Sequence, residues 1–297
     1  MTAFLYPGQG SQAPGMGADF REASAAARDI FDRAAAMTSA AWLDTLFHGS
    51  DADLADTRMA QPALLTVEVA ITAHLAAAGA TPSLCAGHSL GEYSALVAAG
   101  ALAFEEAFRV VQERARLMSE NVPEGAMAAV LGLDAAAIEA VLPGGVQVAN
   151  YNGPGQTIVS GTIAALDAAE HALKEAGAKR VMRLNVSGPF HSEYMRPASV
   201  TFRGFLEPVA IATPETRFVS SVSGREETEP ERIRELLAGQ LCAPVRWTEV
   251  MAALGPVEAL EVGPGRVLQG LARRTENAPS VTPVGTLEAA AALGEQA

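Results

Sequence analysis

The stretch Ser83-Leu84-Cys85-Ala86-Gly87-His88-Ser89-Leu90-Gly91 decides how the chain is read. Residues 83–87 form a short apolar run, expected to be a buried strand, and a helical pattern opens at Gly91. Gly87-His88-Ser89-Leu90-Gly91 is therefore G-x-S-x-G between a strand and a helix, the context a nucleophile elbow requires. Such a turn projects the serine hydroxyl outward, and its glycines let strand and helix pack closely. The Leu90 N–H then sits at a helix N-terminus, where it can stabilise developing negative charge.

Outward from the elbow, further apolar runs lie at 3–6, 217–222, 257–262 and 281–284, with helical patterns at 18–36, 61–78, 104–118, 230–241 and 266–273. Strands alternating with helices predict a parallel sheet covered on both faces. The middle differs. From Gly125 the order is strand (126–131), helix (134–142), strand (146–150), strand (156–161), helix (163–176), strand (180–185), the ferredoxin-like β-α-β-β-α-β unit. Pro123-Glu124-Gly125 and Ser187-Gly188-Pro189 punctuate its ends. The expected fold is α/β: a hydrolase-like core with a mainly parallel sheet, residues 1–123 and 187–297, and an inserted ferredoxin-like subdomain, 124–186. The last residues, 288–297, read as a fraying helix.

The 297 residues carry a net charge of −13, with 49% hydrophobic and 19% charged residues. That is a globular composition and a poor one for phosphate-backbone binding. Two cysteines, Cys85 and Cys242, make no disulfide framework, and no Cys/His cluster has zinc spacing. Both read as buried fillers. With no basic leader and no uninterrupted apolar run of about 18 residues, the chain is expected to be soluble and cytoplasmic.

A serine needs a base, and there are five histidines. His48 and His74 precede the elbow without a partner pattern. His88 adjoins Ser89 and reads as local packing. His171 falls opposite the apolar stripe of its helix. His191, in the turn-rich Gly188-Pro189-Phe190-His191-Ser192, lies where the chain re-enters the main domain. It is the candidate base, with a capping or packing role as the alternative. On the helical wheel of 104–118, Arg114 alone among the charges falls inside the apolar arc. A buried arginine must be paired: either with a protein carboxylate, or with a carboxylate of the substrate, which its planar fork suits. Pro7-Gly8-Gln9-Gly10-Ser11-Gln12-Ala13 superficially matches a dinucleotide fingerprint. Pro14-Gly15-Met16-Gly17 follows, so no helix starts where a pyrophosphate needs it. This loop is either a tight turn or a source of N–H groups beside the elbow.

Together these residues resemble the malonyl-CoA:acyl carrier protein transacylase family. The motifs are Pro7-Gly8-Gln9-Gly10-Ser11-Gln12, Gln61-Pro62-Ala63, Gly87-His88-Ser89-Leu90-Gly91-Glu92-Tyr93-Ser94, Arg114 with Met118, Gly125 to Val130, Asn150-Tyr151-Asn152, Pro189-Phe190-His191-Ser192, and Gln240-Leu241 with Pro244-Val245-Arg246-Trp247, in the family's order across nearly the whole chain. The resemblance implies ping-pong transfer of malonyl from coenzyme A to an acyl carrier protein, with Ser89 as nucleophile and His191 as base. It implies Gln9 and Leu90 as the oxyanion hole, and Arg114, Met118, Phe190, Gln240 and Asn152 around the substrate. The Gln240 carbonyl would orient the histidine, so no triad carboxylate is needed. No cofactor beyond the coenzyme A thioester is implied, and neither nucleic acid nor membrane is expected as a partner. Bulk at Leu90 and Phe190 is expected to favour malonyl over methylmalonyl. Met1 leads straight into the first strand, so a free-standing enzyme is expected, of the fatty-acid type or the type that serves polyketide assembly lines in trans. An acidic enzyme meeting an acidic carrier needs a local basic dock; Lys179, Arg180, Arg183, Arg273 and Arg274 are the candidates. An acyl hydrolase, or a carrier-binding protein without activity, are the rival readings; the first gives Arg114 nothing to hold, the second would be expected to lose Ser89, His191 or Arg114.

Overall fold

The computed structural model describes residues 2–120, 122–186 and 188–294. Among the described residues nine strands run in chain order: β1 (Thr2–Tyr6), β2 (Leu84–Gly87), β3 (Ala126–Leu131), β4 (Val146–Gly153), β5 (Gln156–Gly161), β6 (Arg180–Arg183), β7 (Arg217–Val219), β8 (Glu258–Val262) and β9 (Ser280–Val284). They form two sheets, one ordered β7-β2-β1-β8-β9 and one ordered β4-β5-β3-β6. Every pairing in the first is parallel. The second is antiparallel in the pairs β3–β5, β3–β6 and β4–β5, the ferredoxin-like arrangement.

The parallel strands are buried on both faces, which is why they read as continuous apolar runs. Phe4 and Tyr6 enter one apolar cluster, and Ala3 and Leu5 another on the opposite face. The small sheet divides its side chains in the same way, with the period of two a strand imposes. Ala128, Val130 and Val159 pack under the helices Ala135–Val141 and Ile163–Glu175. Met127, Ala129 and Ile158 face the main core. A parallel bridge joins Asn150 of β4 to Val245, where Tyr151 N–H donates to the Val245 carbonyl (2.8 Å) and Val245 N–H to that of Ala149 (2.8 Å). The small sheet is thus stitched to the segment that follows Gln240.

Several elements differ from expectation for local reasons. The expected helix at 18–36 is two, Ala18–Ala23 and Ala25–Met37, because Ser24 takes an extended backbone and its side chain accepts from Ala27 N–H. The strand expected over 217–222 stops at Val219, because Ser220 and Ser221 turn in to bind Glu92. The last strand of the small sheet ends at Arg183, not 185. Helices Ala40–His48 and Asp51–Ala55, capped by Ser39 and Ser50, and helices Arg196–Leu206 and Trp247–Leu254 were not expected. The terminal helix runs Leu287–Gly294; Ser187 and residues 295–297 lie outside the described residues. One helix, Thr57–Ala77, is long and apolar enough to cross a membrane, but 78% of its apolar window is buried inside the protein, so it is a core helix. Cys85 is buried, and burial pushes its thiol up to about 12. Cys242 is only half-buried, against the expectation for it.

Candidate active site

The elbow forms where β2 ends. Ser89 has φ 52°, a left-handed backbone rare for a side chain of its type. The strain is held by close packing around the two glycines. A Cβ on Gly87 would fall 2.0 Å from the Gly91 carbonyl carbon, and one on Gly91 would fall 2.2 Å from the Tyr6 oxygen and 2.5 Å from that of Pro7. The end of β1 therefore lies directly on the elbow and brings the loop 7–17 beside it. That loop leads to a helix only at Ala18, as the sequence argued against a dinucleotide site.

Ser89 Oγ is 2.8 Å from His191 Nε2 and 3.0 Å from Arg114 Nη2. His191 also has a left-handed backbone, φ 56°. Its Nδ1 is 2.9 Å from the Gln240 carbonyl and 3.0 Å from that of Ala243. Carbonyls only accept, so Nδ1 carries the proton, and Nε2 is left to accept from the serine hydroxyl. Burial, and then the Arg114 charge, push the imidazole down to about 3, so it stays neutral. Among the described residues no carboxylate bonds to this histidine; two backbone carbonyls orient it.

Arg114 is 1% exposed on the helix Phe104–Leu117. Among the described residues no carboxylate lies within 4.0 Å of its guanidinium. Its Nε donates to Gln240 Oε1 (3.0 Å) and its Nη1 to Gln61 Oε1 (2.8 Å), and it stands over the Tyr93 ring at 5.7 Å. Neutral oxygens hold the cation in place, so the internal ion-pair alternative does not apply. Gln61 in turn donates to Gln9 Oε1 (3.2 Å) and to Met118 Sδ (3.4 Å). Behind Gln240 lies a buried carboxylate, Glu92, which accepts from its Nε2 at 2.6 Å. Gln61 and Glu92 had no assigned role in the sequence reading. Gln61 sits on the core helix Thr57–Ala77 and Glu92 on the helix Gly91–Ala98, and both side chains are buried.

These groups line a cavity of about 360 Å³ walled by Gln9, Ser89, Arg114, Met118, Phe190 and His191, with Met127, Ile158 and Asn150 from the small sheet. Three sequence expectations are corrected here, the first being Gln240, which is fully buried behind Arg114 and His191 and is not on the cavity wall. The Leu90 side chain is fully buried in the main apolar cluster and is not on the cavity wall, because the elbow turns it away from Ser89. Of Leu90 and Phe190, Phe190 is the one on the wall, where it can crowd an acyl branch. Asn152 is also off the wall; its Oδ1 accepts from His88 Nε2 (2.9 Å), and Asn150 takes its place in the lining. Among the described residues the backbone N–H groups of Gln9 and Leu90 donate to no protein acceptor, and no cluster of three or more His, Cys, Asp or Glu could hold a metal.

Of the basic residues, the structure brings three to one end of the small sheet. Arg180 and Gln156 both pair with Leu131, and Arg274 Nη1 donates to Gln156 Oε1 (2.7 Å). Lys179 lies across Gly132 next to them. Arg183 stands at the far end of β6 in an ion pair with Asp167 (2.5 Å). Arg273 is exposed beside Arg274.

A strained serine at a strand–helix turn, a neutral histidine and a sheltered cation define an acyl-transferring serine site, and the acyl transferase domain family matches residues 3–292. The chain belongs to that family. Among its relatives, the malonyl CoA-acyl carrier protein transacylase of Bacillus subtilis (strain 168) is 44% identical over 283 residues, covering 92% of this chain and 89% of the relative. Two solved structures share the fold over the full chain. One is a malonyl-transacylase in complex with its type II PKS acyl-carrier protein (TM-score 0.93, 39% identity, 100% of this chain and 99% of that one). The other is the enzyme from Streptococcus pneumoniae (TM-score 0.94, 37% identity, 100% of both chains).

Proposed function

We propose that the chain moves malonyl groups from coenzyme A to the phosphopantetheine thiol of an acyl carrier protein, through an ester on Ser89, for fatty-acid or polyketide synthesis. One observation carries the reading: the Ser89 hydroxyl lies between His191 Nε2 (2.8 Å) and the guanidinium of a buried Arg114 (3.0 Å) that, among the described residues, has no carboxylate within 4.0 Å. The names and folds of the relatives support it.

Ser89 Oγ attacks the thioester carbonyl as His191 Nε2 takes its proton. The N–H groups of Gln9 and Leu90 receive the oxyanion. The C–S bond then breaks, and the coenzyme A thiolate leaves with the proton returned by His191. In the second half the carrier thiol gives its proton to His191, attacks the ester, and releases Ser89. Thioester, ester and thioester are close in energy, so transfer runs both ways. Arg114 binds the free malonyl carboxylate bidentately, and acyl chains without one leave a buried cation unpaired. No step needs a cofactor. The working units are 1–123 with 187–297 and the insertion 124–186, each with its own sheet, and the cavity lies where they meet. A carrier docks at the small-sheet end carrying Lys179, Arg180 and Arg274, with Arg273 alongside. A cytoplasmic location fits these substrates.

Intact mass spectrometry after incubation with malonyl-CoA tests this. A malonyl adduct that is absent from Ser89→Ala, persists in buffer and moves to a holo-carrier protein is expected. An adduct lost as fast in buffer as with the carrier identifies a hydrolase. In Arg114→Ala, acylation by malonyl-CoA should fall by about 10²-fold or more relative to acylation by acetyl-CoA.

A further inference from the structure

Glu92 has no role in the chemistry above, yet it is 1% exposed and four protein groups bind it. Its Oε1 accepts from Ser220 Oγ (2.6 Å) and Ser221 N–H (3.2 Å), and its Oε2 from Ser221 Oγ (2.7 Å) and Gln240 Nε2 (2.6 Å). Each carboxylate oxygen therefore receives an N–H, which suits the anion. The Gln240 amide has two ends with opposite demands. Its Nε2 serves Glu92 and the Ser89 carbonyl (3.1 Å), while its Oε1 accepts from Arg114 Nε (3.0 Å). Rotating the amide by half a turn would set oxygen against two acceptors and N–H against a guanidinium donor.

We propose that Glu92 is a positioning residue: it locks the amide of Gln240 so that its oxygen holds the Nε edge of Arg114, and thereby aims the guanidinium at the carboxylate of the acyl donor. A carboxylate in direct contact with Arg114 would occupy the fork the substrate needs. Set one amide away and beyond 4.0 Å, Glu92 supplies a compensating negative charge and leaves that fork open. The inference rests on Arg114 being the anchor for the substrate carboxylate, and it adds what keeps that anchor aimed.

In Glu92→Gln, one new N–H must oppose either Ser221 N–H or Gln240 Nε2–H. Serine acylation by malonyl-CoA and by acetyl-CoA is measured in wild type, Glu92→Gln, Glu92→Asp and Arg114→Ala, each with its Tm. The expected result is a loss of about 10-fold or more in the malonyl-to-acetyl ratio of kcat/KM for Glu92→Gln, carried mainly by KM, with partial recovery in Glu92→Asp. An unchanged ratio, or equal loss for both donors alongside a lower Tm, overturns the proposal. Should Glu92→Gln fail to fold, Ser221→Ala removes one bond to Oε2 and keeps the carboxylate; a ratio unmoved there overturns it too. If wild type shows no preference and Arg114→Ala changes nothing, the anchor reading itself fails, and the relay falls with it. A preference lost in Arg114→Ala but intact in Glu92→Gln removes only the relay.

Discussion

Arg114 Nη2 donates to Ser89 Oγ across 3.0 Å, so the residue read as the substrate anchor touches the nucleophile before any substrate arrives. The same cation helps depress His191 to about 3, second to burial as a cause. An ordinary histidine, near 6.5, would lose its base function on mild acidification. Here the neutral form persists, so kcat/KM for serine acylation is expected to stay flat from about pH 7.5 to about pH 5.5. A fall centred near the ordinary histidine value would contradict this. Removing the cation removes its lowering effect, so any acid limb should move to higher pH in Arg114→Met, read with acetyl-CoA.

Phe190 and Leu90 should part company in donor choice. Phe190 is on the cavity wall and Leu90 is not. Phe190→Ala is expected to raise the methylmalonyl-to-malonyl ratio of kcat/KM by about 10-fold, the worth of room for a single methyl group. Leu90→Ala should leave that ratio alone and lower stability by about 2–5 kcal/mol, as core truncations do. The opposite pattern would return Leu90 to the pocket.

Carrier docking can be separated from chemistry by charge. Arg180→Glu and Arg274→Glu are expected to raise KM for the carrier by about 10-fold together at low salt, with self-acylation by malonyl-CoA unchanged. Arg183→Glu, whose native charge already faces Asp167, should do much less. A carrier KM indifferent to Arg180 and Arg274 would put the dock elsewhere.

Gly91 tolerates no side chain. A Cβ there meets two backbone oxygens, neither of which can swing aside as a side chain would. Gly91→Ala should therefore cost about 2–3 kcal/mol by overpacking, measured by chemical denaturation, and should slow acylation by shifting Ser89. A variant of normal stability and rate would mean that β1 and the elbow are not in close contact.

What could be read from the chain beforehand was what is local in it. The elbow needs five residues in a row, and the burial of Arg114 follows from one helical wheel. The order of short strands and helices from 126 onward needs only runs of a few residues each. Glu92 stayed silent because its partners Ser220 and Ser221 are 128 and 129 positions away, and no local pattern reports such a distance. The position of Leu90 was misjudged for a related reason, since sequence adjacency to Ser89 says nothing about which way a left-handed turn throws the next side chain. The missed helix at Asp51–Ala55 is different: its Ser50–Asp53 capping box was in plain view.

Both members of the reacting pair, Ser89 and His191, occupy left-handed backbone. Side chains branched at Cβ are the least able to do so. Threonine offers the same hydroxyl chemistry, yet at position 89 the main chain refuses it before reactivity is ever compared. The alphabet open to natural selection here is thus narrowed by geometry to unbranched nucleophiles, a hydroxyl or a thiol on a single methylene.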